Sequence, residues 1–93
     1  MFVARASIDL HIPQSASLKD KRHVLRALKD RLHNKFNISV AEVDHNDLWQ
    51  RSTLGVAVVS NEQKFAQKVI SQVVEHIRRE NGVVVLDYFL EIV

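Results

Sequence analysis

FNISVAEVDHNDLWQRSTLGVAVVS, residues 36–60, decides the fold. Phe36, Ile38 and Val40 alternate with polar or small neighbours, which is the period of a half-buried strand. Val43 then falls on the opposite parity, and the slip predicts a bulge near Ala41–Glu42. Residues 49–59 resume a strand with Leu54, Val56 and Val58 on its inner face. Asp44–Leu48 is left as a tight tip, with Asn46 or Asp47 suited to the turn conformation. The stretch is therefore a bulged β-hairpin.

Outward from the hairpin, each flank repeats one plan. Residues 2–12 alternate, with Phe2, Ala4, Ala6, Ile8, Leu10 and Ile12 on one face and Pro13 ending the strand. Ser17 followed by Asp20 is a weak capping box, and a helix is expected from Leu18 to Asn34. Leu18, Val24, Leu25, Leu28 and Leu32 form its inner arc. After the hairpin, Ser60 with Gln63 suggests a second capping box and a helix over 61–80, with Ala66, Val69, Ile70, Val73 and Ile77 inward. Asn81–Gly82 ends it. Residues 83–93 form a last strand with Val84, Leu86, Tyr88, Leu90 and Ile92 on one face. The order βαββαβ implies an α+β ferredoxin-like sandwich: a four-stranded antiparallel sheet with two helices on one face, as a single domain over residues 1–93.

The chain has no cysteine, so disulfides, thiolate metal sites and cysteine nucleophiles are excluded together. The start, MFVARASIDLHIP, carries an acid in mid-strand and reads as neither a signal peptide nor a membrane anchor. The expected location is the cytoplasm, with no membrane partner. Net charge is only +2, but it is unevenly spread: residues 18–35 carry seven Lys or Arg against two acids, a net +5, while the rest of the chain is −3. Such asymmetry suits an anionic partner.

On a helical wheel Lys19, Arg22, Arg26, Lys29 and His33 fall within an arc of about 80°. That ribbon suits a phosphate backbone, with Lys21 beside it as a further cation. Its plain structural counterpart is a solvated helix face. The uncovered sheet face carries Ser7, Asp9, Thr53 and Gly55 at its centre, where an RNA-recognition motif stacks bases on aromatics. That mode is not expected, and a flat face of small residues suits contact with a second copy. Ser7, Asp9 and His11 lie in one row, but neighbours two apart on a strand are about 6.6 Å apart, too far for a nucleophile triad. Glu42, Asp44, His45 and Asp47 alternate in direction around the tip and do not converge as a metal site. Trp49 and Arg51 share strand parity and can present a ring beside a guanidinium; otherwise Trp49 closes the end of the core. Acylphosphatases share this size and fold, but the loop IPQSAS lacks the glycines and arginine of their phosphate cradle.

SLKDKR (Ser17–Arg22) and FNISVAEVDHNDLWQR (Phe36–Arg51), with LGVAVVSNE (Leu54–Glu62), resemble the YlxP-like family of small bacterial proteins, across the whole chain. The resemblance implies a ferredoxin-like fold in a bacterial cytoplasmic protein, and no established activity. Genes of that family tend to lie near those for translation initiation factor two and ribosome-binding factor A, which implies a setting in translation or ribosome assembly.

Two functions follow. The preferred one is a non-enzymatic module that binds RNA or a ribosomal particle, with Lys19, Lys21, Arg22, Arg26 and Lys29 on phosphate and Trp49 and Arg51 assisting. The alternative is a homodimeric protein-interaction module using the open sheet face, with no nucleic-acid role. Neither calls for a cofactor, a metal or a small-molecule substrate.

Overall fold

The computed structural model describes residues 1–93. The order is β1 (Phe2–His11), α1 (Leu18–Lys35), β2 (Ser39–Asp44), β3 (Arg51–Ser60), α2 (Gln63–Arg78) and β4 (Val84–Ile92). All neighbouring strands are antiparallel, in the order β2-β3-β1-β4. This is the ferredoxin-like sandwich expected from the sequence.

The inner face of β1 (Ala4, Ala6, Ile8, Leu10) and that of β3 (Leu54, Val56, Val58) are buried under the helices. Leu25, Leu28 and Leu32 of α1 and Ala66, Val69, Ile70, Val73, Val74 and Ile77 of α2 meet them. Every apolar residue of this buried core is Ala, Val, Leu or Ile. The aromatic rings all lie at its margin or outside it. The helix α2 lies across β1, β3 and β4, and α1 lies over β2.

The first capping pattern forms, with the return bond going to Ala16, one residue before the N-cap Ser17. Ser17 Oγ accepts from Asp20 N at 3.0 Å, and Asp20 Oδ2 accepts from Ala16 N at 3.0 Å. The second does not. Ser60 Oγ accepts from Glu62 N, Glu62 takes the N-cap position without a side-chain bond, and α2 starts at Gln63 rather than Asn61. Ser60 is still in β3, so its hydroxyl turns the chain instead of capping the helix.

Two bulges correct the expected registers. In β2 the register shifts between Glu42 and Asp44, so Val43 is the extra residue, not Ala41–Glu42. In β4 it shifts where Asp9 faces Asp87 and Leu10 faces Val85, which leaves Leu86 unpaired. Val83 is consequently buried and Val85 packs on the core, while Val84 and Leu86 are exposed rather than inward. Tyr88, Leu90 and Ile92 keep the predicted face, opposite Ile8, Ala6 and Ala4.

The bulged Val43 explains Gly55. A Cβ on Gly55 would stand 2.8 Å from Val43 Cγ1, closer than side chains approach. The two positions should therefore be coupled. In a double-mutant cycle followed by urea denaturation, Gly55→Ala is expected to be more favourable in a Val43→Ala background than in the wild type, by about 1 kcal/mol. Additive effects would show that Val43 yields without resistance.

Candidate nucleic-acid interface

The site begins with one buried cation. Lys21 lies at the spacing of Leu25, Leu28 and Leu32 and shares their inward arc. It is 0% exposed. Its Nζ donates to the carbonyls of His45 at 2.8 Å, Asn46 at 3.1 Å and Arg51 at 3.2 Å, and lies 3.0 Å from Glu42 Oε2. Ser52 Oγ donates to the same Glu42 oxygen at 2.8 Å. An ammonium has three protons to give, and here every one has an acceptor. Lys21 is thus no phosphate contact. Its place among the nucleic-acid candidates is corrected: it is the clamp that holds the hairpin tip to α1. The missed signal was its register, four residues before Leu25.

Lys21 shapes the tip as well. His45, not Asn46 or Asp47, takes the left-handed conformation, with φ 61°. That turn aims its carbonyl at Lys21, while Asp44 Oδ1 accepts from its N–H at 2.7 Å. On the open sheet face His45 Nδ1 meets Thr53 Oγ1 at 2.9 Å, and Thr53 donates to Asp9 Oδ1 at 2.7 Å. Gln50 fastens the other side of the tip. Its Nε2 donates to the carbonyls of Pro13 and Ser15, and its carbonyl accepts from Ile12 N at 2.8 Å. The hairpin tip is therefore tied to the β1–α1 loop by its own Gln50 and to α1 by Lys21 of that helix.

Trp49 sits in this tethered tip, outside β3, and is 56% exposed. It does not close the core. Since β3 starts at Arg51, the expected parity of Trp49 with Arg51 is lost. Arg51 faces His11 across β1 on the open sheet face, and its Nε is buried without a partner. Asp9 and His11 do not converge with Ser7: Asp9 accepts from Thr53, and His11 Nδ1 lies 3.1 Å from the Gln50 carbonyl. No group of three or more His, Asp or Glu side chains is placed to hold a metal.

The remaining cations of α1 divide by flank. Arg31 donates twice to Glu80, at 2.9 and 2.6 Å, and that bond raises its guanidinium pKa above the ordinary value. This flank faces α2. Lys19, Arg22, Arg26 and Lys29 lie on the other flank, about 110° round the wheel from the buried arc. None of the four pairs with a carboxylate. Lys19, Arg22 and Arg26 are exposed and Lys29 is half-buried. Because α1 covers β2 and α2 the other strands, this ribbon runs along the β2 edge of the sandwich.

Lys21→Met would strand three carbonyls and a carboxylate in a dry site. Its expected cost is about 3–5 kcal/mol in urea denaturation, against less than about 0.5 kcal/mol for the exposed Lys19→Met. Equal effects would contradict a buried clamp.

Known proteins resemble this chain in sequence and in fold. Residues 3–89 match the family described as "Protein of unknown function (DUF503)". An uncharacterised protein of Bacillus subtilis (strain 168), YlxP, is 38% identical over 72 residues, covering 77% of this chain and 78% of that one. Among solved structures, a de novo designed protein with a ferredoxin fold, determined by solution NMR, superposes with a TM-score of 0.54. It covers 100% of this chain and 84% of its own at 10% identity, which speaks to the fold alone.

Proposed function

This chain belongs to the DUF503 family of proteins of unknown function, and we propose that it is a non-enzymatic RNA-binding module of the translation or ribosome-assembly machinery, working in the cytoplasm. The observation that carries the reading is the unpaired ribbon. Four cations stand on one flank of α1 and none of them forms an ion pair, while Lys21 and Arg31 on the same helix are neutralised within the fold. A phosphate backbone supplies a run of anions that can engage such a ribbon, releasing a counterion at each contact. Over the ten steps from Lys19 to Lys29 the ribbon spans about 15 Å of helix, enough for several consecutive phosphates. The genomic setting implied by the YlxP-like resemblance supports RNA over other polyanions.

The roles of the candidates are unequal. Lys19, Arg22, Arg26 and Lys29 contact phosphate. Trp49, exposed on the tethered tip, offers a ring for stacking on an unpaired base. Arg51, on the open sheet face, contributes only if the RNA wraps around the tip. Lys21 acts indirectly by holding that tip.

The test is fluorescence anisotropy of labelled ribosomal RNA fragments and intact small subunits at several salt concentrations. Four phosphate contacts predict a log–log salt slope of about −2.8 for single strands to −3.6 for duplex. Arg22→Glu with Arg26→Glu is expected to abolish binding with an unchanged thermal midpoint. Trp49→Ala should weaken single-stranded fragments more than duplexes. Normal binding by the double variant would reduce the ribbon to a solvated face.

A further inference from the structure

The two edges of the sheet are built differently. The edge at β2 is short, interrupted by the Val43 bulge and flanked by the α1 cations, features that discourage pairing with another strand. The edge at β4 has no such guard over its second half. Residues 88–93 read YFLEIV, without lysine, arginine, proline or glycine. Tyr88, Phe89 and Val93 are exposed.

The backbone pattern shows which groups are free. Val3 and Val93 exchange both of their hydrogen bonds, at 3.0 and 2.8 Å. In an antiparallel ladder such pairs alternate with pairs that exchange none. In this register Glu91, Phe89 and Asp87 bond to Arg5, Ser7 and Asp9. Ile92, Leu90 and Tyr88 therefore turn their N–H and C=O groups outward. Within the chain only the Tyr88 N–H finds a substitute, Asp87 Oδ1 at 2.8 Å.

From this geometry we infer that β4 pairs antiparallel with β4 of a second copy about a two-fold axis at Leu90. Self-complementarity selects that register. Leu90 then faces Leu90 of the other copy, and Tyr88 faces Ile92 in both directions; once the Tyr88 N–H exchanges Asp87 Oδ1 for the Ile92 carbonyl of the other copy, all outward groups from Tyr88 to Ile92 bond across the axis. Their side chains lie on the helix side, where Leu90 and Ile92 already pack on the core, so the two cores merge. On the open side Phe89, 64% exposed, faces Glu91 of the other copy, whose charge is met by its own Arg5. Shifting the axis to Phe89 would set Asp87 against Glu91, and shifting it to Glu91 would set two glutamates face to face. The result is a continuous eight-stranded sheet, with the α1 ribbons at its far edges and free to bind. The closed two-fold also uses up the only strongly adhesive edge.

Sedimentation equilibrium and disulfide trapping test this. The chain has no cysteine, so Leu90→Cys introduces a single thiol. Facing residues in a bonded antiparallel pair have Cα atoms about 5.5 Å apart, within disulfide reach. Mild oxidation should convert Leu90→Cys to a covalent dimer at least tenfold faster than the exposed Phe65→Cys on α2. The wild type should sediment at twice 10.7 kDa. Tyr88→Pro, which removes an outward N–H and no ladder bond, should sediment as a folded monomer, while Ala57→Arg on the open face should remain a dimer. Equal trapping at residues 90 and 65, a monomeric wild type, or a dimer broken by Ala57→Arg but not by Tyr88→Pro would each overturn the inference.

Discussion

The Lys21 ammonium is enclosed by three backbone carbonyls and the Glu42 carboxylate, and much of the surface depends on that arrangement. Burying a charge is tolerable only when it is paired and its protons are all accepted. The hairpin tip meets that need with main-chain oxygens, and in doing so accepts a left-handed His45. A loop of acids and amides that would otherwise be loosely held becomes a fixed feature of the molecule. Trp49 is exposed on that loop, and Gln50 braces it against the β1–α1 connection.

The same helix thus does two jobs with similar residues. One inward lysine organises the fold; the cations on the outer flank organise nothing within it. This division makes the ribbon a functional candidate, because fold stability gives no reason for four neighbouring positive charges of which none forms an ion pair. Their mutual repulsion is relieved when an anion arrives. The aliphatic core sharpens the point for the aromatics. Trp49, Phe65, Tyr88 and Phe89 are not needed to fill the interior, and they stand where partners can reach them.

The fold was legible because its signals are local and repeated: alternation in β1 and β3, apolar arcs in both helices, and few glycines to blur the boundaries. What escaped were features fixed by contacts distant in sequence. Lys21 reads as one more cation until the tip carbonyls are placed around it, although its spacing to Leu25, Leu28 and Leu32 already put it on the inner face. The β4 parity fails at Leu86 because a bulge is invisible in the unbroken apolar run Val83–Leu86. The positive φ falls at His45 rather than Asn46 because the carbonyl must reach Lys21, and tertiary need overrides turn preference. At the candidate site, Lys19, Arg22, Arg26 and Lys29 were legible from helical spacing, and the parity of Arg51 with Thr53 and Gly55 already put it on the open sheet face. The place of Trp49 was not legible, since it lies in the tip before β3 begins and shares no strand parity with Arg51.

Lysine acetylation followed by mass spectrometry, with and without a ribosomal RNA fragment, tests this division most directly. In the free protein Lys21 should stay unmodified under native conditions while Lys19 and Lys29 react. On binding RNA, Lys19 and Lys29 should become protected and Lys64, at the start of α2, should not. A Lys21 that reacts as fast as Lys19, or protection that falls on Lys64 instead of Lys19 and Lys29, would contradict the account.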